Sequence, residues 1–169
     1  MKKCTALLLL LTLTAALLLT ACDSNGTNPN SNDYIYSFSY NGVSITPGGS
    51  FDEIKSGLGT YTSYFEAASC AFDGNDKIYT YGSVQINVSP LAGVDTIYMV
   101  TLLDDSLATP EGIRVGSTRD EVIAAYGDGG VDNGTSLVYV AGLTELVFIL
   151  RDGCVTSVQY RGIEAAIAD

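Results

Sequence analysis

Histidine is absent from this 169-residue chain. That one absence removes Ser-His-Asp and Cys-His nucleophile pairs, imidazole acid–base work and histidine metal sites. Basic side chains are scarce as well: eight Lys and Arg stand against 19 Asp and Glu, a formal charge of −11. A surface of that sign disfavours nucleic acid and anionic polymers. It suits cations or a basic protein surface better, although plain solubility is the simpler account. Tryptophan is missing too, so the aromatic content falls on eleven Tyr and five Phe.

Carboxylates are the acid–base groups that remain, and their positions have structural explanations. Asp52-Glu53 and Asp120-Glu121 stand at expected helix starts, where they complement the macrodipole. Asp104-Asp105 closes an expected strand. Asp73-Gly74-Asn75-Asp76 is rich in oxygen ligands, but it lacks the spacing and final glutamate of a calcium loop and reads as a turn. No catalytic residue, metal ligand set or cofactor is assigned, and the chain reads as a non-enzyme.

The first residues carry the parts of an export signal peptide. Lys2 and Lys3 form a positive start, and Thr5 to Ala21 is an uncharged run dominated by leucine. It closes on Leu19-Thr20-Ala21-Cys22, the lipobox pattern of bacterial lipoprotein precursors. Residues 1–21 are therefore expected to be removed and Cys22 to carry the lipid. Acyl chains of the palmitate kind, two or more on one cysteine, suffice for lasting membrane attachment. The expected location is the extracytoplasmic side of a cell membrane, anchored to it without spanning it. Loss of Lys2 and Lys3 moves the formal charge from −11 to −13.

Asp23 to Asn32 reads DSNGTNPNSN and cannot bury enough apolar surface to order itself, so residues 22–33 read as lipidated cysteine plus flexible tether. One domain is expected over 34–163, followed by a tail at 164–169. Inside it, Ile45-Thr-Pro-Gly-Gly-Ser-Phe-Asp-Glu-Ile54 lines up with Ile113-Arg-Val-Gly-Ser-Thr-Arg-Asp-Glu-Val122 at a constant offset of 68 residues. Two repeats follow, about 43–103 and 111–161. Ser50 and Thr118, each with Glu three residues on, predict capped helices over 51–57 and 119–126. Val84, Ile86 and Val88 alternate with polar residues as a half-buried strand does, and Leu146 to Leu150 reads as a central strand. Asn41-Gly42 and Asp152-Gly153 are hairpin turns. The expected class is α+β: a tandem repeat of short helix plus about three antiparallel strands, one sheet with helices on one face.

Cys70 and Cys154 form an even pair in an exported chain, so a disulfide and two free thiols both stay open. Tyr34, Tyr36, Phe38 and Tyr40 alternate with smaller residues, and Tyr79 and Tyr81 repeat the pattern. Such a row serves either as core or as a tyrosine-lined binding face. Tyr34, Tyr36, Tyr79 and Tyr81 are the candidate binding face.

The G-S-T-x-x-E-V unit ending in an apolar hairpin resembles the β-lactamase-inhibitor-protein-like fold. Gly116 to Gly127, GSTRDEVIAAYG, is similar to the helix start of SmpA/OmlA-type envelope lipoproteins. Ser69 to Tyr81, SCAFDGNDKIYTY, with Thr109-Pro-Glu-Gly-Ile113 looks like uncharacterised lipoproteins of anaerobic Gram-positive bacteria. The resemblance implies a fold, and no stretch matches the inhibitor's lactamase-binding loops. The expected function is a membrane-anchored, non-enzymatic protein-binding module with an unidentified protein partner. The alternative is an inhibitor or sensor of an envelope or extracellular enzyme.

Overall fold

The computed structural model describes residues 35–163. Cys22, the tether, Tyr34 and the tail at 164–169 lie outside them. The described residues open with β1 (Phe38–Tyr40) and β2 (Val43–Ile45), paired antiparallel as a separate two-stranded sheet. Asn41 and Gly42, at φ 52° and 78°, make the turn that their left-handed tolerance suits. Helix α1 (Phe51–Leu58) follows, then β3 (Ser63–Ala68), β4 (Asn75–Tyr81), β5 (Val84–Leu91) and β6 (Val94–Leu102). Helix α2 (Arg119–Tyr126) precedes β7 (Val131–Asp132), β8 (Ser136–Ala141), β9 (Thr144–Arg151) and β10 (Cys154–Gly162). These last eight strands make one antiparallel sheet in the order β3-β4-β5-β6-β10-β9-β8-β7.

The α+β tandem class is overturned. Strands hold 49% of the structure and helices 12%, so the molecule is mostly β, organised by one eight-stranded sheet. Each helix is eight residues long, about two turns. Helices that short are marginal alone and depend on what they pack against, so they do not amount to a layer.

Two ladders of apolar side chains cross the sheet and form the core. Tyr79, Ile86, Val100, Tyr160, Leu146 and Tyr139 stand side by side on successive strands, and each is at most 6% exposed. Tyr81, Val84, Leu102, Val158, Phe148 and Leu137 form the second ladder. Phe51 of α1 stacks on Tyr79, with ring centroids 4.4 Å apart, and Tyr126 of α2 packs against Phe148 at 5.2 Å. Phe38 of β1 meets Tyr160 at 5.6 Å. Each such side chain contributes about 1.5–3 kcal/mol when fully buried.

The two similar segments do matching structural work. Gly48 donates to Ile97 O and Ile97 donates back to Gly49 O, which seals β6 where β10 has stopped pairing with it. Gly116 donates to Val155 O and Val155 donates back to Ser117 O, which seals β10 at the other end of that pairing, where β6 has stopped. Gly48 and Gly116 sit at φ 91° and 93°, a conformation that glycine alone adopts without strain. The residue ahead of each turn, Ile45 or Ile113, is buried. The motif therefore serves to close backbone edges.

Candidate functional site

Antiparallel pairing points partnered residues to the same side, so the register that defines the core side also defines the opposite one. On that side, Thr80, Gln85, Thr101, Gln159, Val147, Val138 and Val131 form one row across the sheet. A second row runs Phe65, Ile78, Asn87, Met99, Arg161, Glu145 and Val140. Asn87, Thr101 and Val147 in these rows are buried, at 5%, 8% and 2% exposed, while Gln85, Gln159 and Arg161 are half-buried and the outermost residues are exposed. The rows form a face that opens toward its flanks.

Its chemistry is graded from edge to centre. Polar side chains predominate in the middle, where Met99 and Val147 are the apolar members, and they bond to one another: Gln85 Nε2 donates to Asn87 Oδ1 at 2.8 Å, and Asn87 Nδ2 donates to Tyr98 Oη at 3.1 Å. On β10, Arg161 Nε donates to Gln159 Oε1 at 2.9 Å, and Gln159 Nε2 donates to Ser157 Oγ at 3.4 Å. Arg161 is thereby held flat along its strand, with Glu145 opposite it in register. Apolar groups occupy both flanks. Phe65 is 60% exposed at the β3 edge, and Val131 and Val140 are 58% and 59% exposed at the other. An ordered polar centre with apolar flanks suits a broad macromolecular contact; it forms no deep pocket for a small substrate.

The predicted tyrosine face is corrected. Tyr79 and Tyr81 alternate as expected, but they point to the core side and are 4% and 2% exposed. Phe51 covers Tyr79, and Lys55 Nζ lies 5.0 Å from its ring centroid and 3.4 Å from its hydroxyl. Tyr81 packs against Tyr40 and Tyr61, and burial pushes its hydroxyl above the ordinary tyrosine range. Tyr36 is half-buried, with its backbone N–H donating to Thr144 Oγ1 at 2.7 Å. Tyr34 lies outside the described residues. The exposed tyrosines are Tyr61 and Tyr64, which lean on Tyr79 from outside. Sequence reasoning missed both, because neither belongs to an alternating run.

Cys70 and Cys154 are both free thiols. Cys70 lies in the turn between β3 and β4, at the end of the sheet where β6 begins; Cys154 opens β10 at the end where β6 finishes. β4 and β10 are also three strand spacings apart, about 14 Å. A disulfide needs Cα atoms within roughly 7 Å, so the fold leaves the pair unbonded. Asp76 of the oxygen-rich turn accepts from Ser89 Oγ at 2.7 Å, and no described cluster of three Asp, Glu or Cys is placed to hold a metal.

The geometry defines a class of domain: one eight-stranded antiparallel sheet with a core on one side and an open face on the other. No family model matches the chain, and no curated protein matches it either. Among solved structures it is similar to an extracellular protein containing an SCP domain from Bacillus anthracis, at TM-score 0.52 and 10% identity. That match covers 70% of this chain and 45% of the other, so this chain spans less than half of that protein. A DUF4309 family protein from Bacillus subtilis aligns at TM-score 0.41 and 14% identity, over 68% of this chain and 78% of that one. The first likeness concerns the fold alone. No described helix is long and apolar enough to cross a membrane.

Proposed function

We propose that this chain is a membrane-anchored, non-enzymatic binding module whose open sheet face docks a protein partner on the extracytoplasmic side. The observation that carries this reading is the pair of rows opposite the core, with half-buried Gln85, Gln159 and Arg161 at the centre and exposed Phe65, Val131 and Val140 at the flanks. The lipobox at Cys22 supports the location, because a tethered domain with one free face presents that face to its neighbours.

Photo-cross-linking in intact cells tests the reading. A cross-linking side chain at Gln159 or Val140 should trap one discrete partner, and the same group at exposed Asp120 on α2 should not. Arg161→Glu should reduce the Gln159 capture at least tenfold without changing the melting temperature. Identical capture profiles from all three positions would sink the open face as the docking surface.

A further inference from the structure

The sheet has two outer edges, and they are not alike. β7 is two residues long, whereas β3 is six, with all six residues exposed and Glu66 as its one charge. No described segment pairs with the outer side of β3, so a row of backbone N–H and C=O groups faces outward there. Such an edge is a template for another strand.

The phase of the ladder says which groups are free. Ser69 N–H bonds Gly74 O across the β3–β4 pair, so Ser69 points its backbone inward, and alternation makes Ala67, Phe65 and Ser63 do the same. The outward backbone groups belong to Tyr64, Glu66 and Ala68. An added antiparallel strand must pair outward residues with outward residues. For a second copy of β3 this parity requires the two-fold axis to pass through a residue.

The choices are few. An axis through Glu66 sets two carboxylates directly opposite, which repel. An axis through Ala67 or Tyr64 runs off one end of the strand and shortens the overlap. An axis through Phe65 pairs Tyr64 of one copy with Glu66 of the other, twice, and sets the two Phe65 rings opposite each other on the open-face side. The Tyr64 hydroxyl already donates to the Glu66 carboxylate within one chain, so the pair is chemically self-complementary.

We propose that β3 pairs antiparallel with β3 of a second copy of this chain, about a two-fold axis at Phe65. The two sheets then join into one of sixteen strands with a continuous open face. This goes beyond the docking role of that face and does not depend on it. The contact is small and each chain carries a formal charge of −11, so the dimer is weak at low salt and tightens as salt screens the repulsion.

The test is site-directed disulfide formation in the full chain with its four native cysteines, Cys4, Cys22, Cys70 and Cys154, replaced by serine. Phe65 falls at a non-hydrogen-bonded pair, where Cα atoms lie about 4.5 Å apart, within disulfide reach. Phe65→Cys should give at least ten times more covalent dimer than Ser63→Cys or Ala67→Cys alone, rising with added salt. Ser63→Cys mixed with Ala67→Cys should cross-link as a heterodimer, since those positions face each other. Equal yields from all three single variants, or no dimer from Phe65→Cys, would overturn the proposal. A chain that dimerises only after residues 23–33 are deleted would assign the edge to that segment instead and overturn it equally.

Discussion

The β3–β6 half and the β7–β10 half of the sheet meet at the β6–β10 pair, and each begins with a short helix. The helices are secured by different means. In the first half, Phe51 and Leu58 are 0% and 1% exposed, while Ser50 makes no side-chain cap bond. In the second, only Val122 of α2 is buried, but Thr118 and Glu121 form a complete capping box. Tyr126 adds a half-buried ring against Tyr139 and Phe148, its hydroxyl donating to Glu111. One helix is pinned by its apolar face and the other by its ends. Similar sequence motifs thus lead to different divisions of stabilising work.

The largest expected effect breaks the first half. Phe51→Ala removes the ring stacked on Tyr79 and leaves a cavity between α1 and the sheet, so urea unfolding should show a loss of about 3–5 kcal/mol. Tyr79 would then be uncovered, and its fluorescence should report the change before global unfolding. A loss under about 1 kcal/mol would show that α1 is not held by this contact.

The next effect acts on the second half through pH. Burial, and then the bond to Glu111, hold the Tyr126 hydroxyl well above the ordinary tyrosine value near 10. The folded state therefore keeps a proton that the unfolded chain gives up. Its contribution is complete below about pH 10 and is lost as pH rises beyond that, by up to about 1.4 kcal/mol per pH unit. Denaturation midpoints measured from pH 9 to 11.5 should fall steeply for the native chain and less steeply for Tyr126→Phe. Parallel slopes would show that Tyr126 ionises as freely when folded as when unfolded.

These contrasts also explain how much was legible in the sequence. Hairpins were legible because Asn41-Gly42 and Asp152-Gly153 carry their conformational preference in two adjacent residues. Helix limits were legible because caps and glycine stops are local. The class was misjudged for the same reason: end signals make a two-turn helix conspicuous, while strands such as β3 and β7 announce themselves only by pairing. The sidedness of Tyr79 and Tyr81 was hidden too. A period of two says that they share a side without saying which side is covered. The open face depended on pairing between β6 and β10, which sets Thr101 beside Gln159 across 58 residues of chain. No local pattern encodes that contact.

The smallest effect sharpens the comparison most cleanly, because it exchanges one atom group at matched positions. Thr118 Oγ1 accepts from Glu121 N–H at 3.3 Å and Glu121 returns a bond to the Thr118 N–H at 2.7 Å, whereas Ser50 lacks the side-chain bond although Glu53 stands in the same relation. Thr118→Ala should therefore cost about 1 kcal/mol, in the usual range for a lost cap, and Ser50→Ala should cost a few tenths at most. Both residues keep their backbone bridges, Ser50 to Thr96 and Thr118 to Cys154, so each substitution isolates the side chain from the edge-sealing role of its segment. Thermal melts of the two variants decide the matter. Equal shifts would mean that Ser50 caps α1 in solution after all, and that the two halves secure their helices alike.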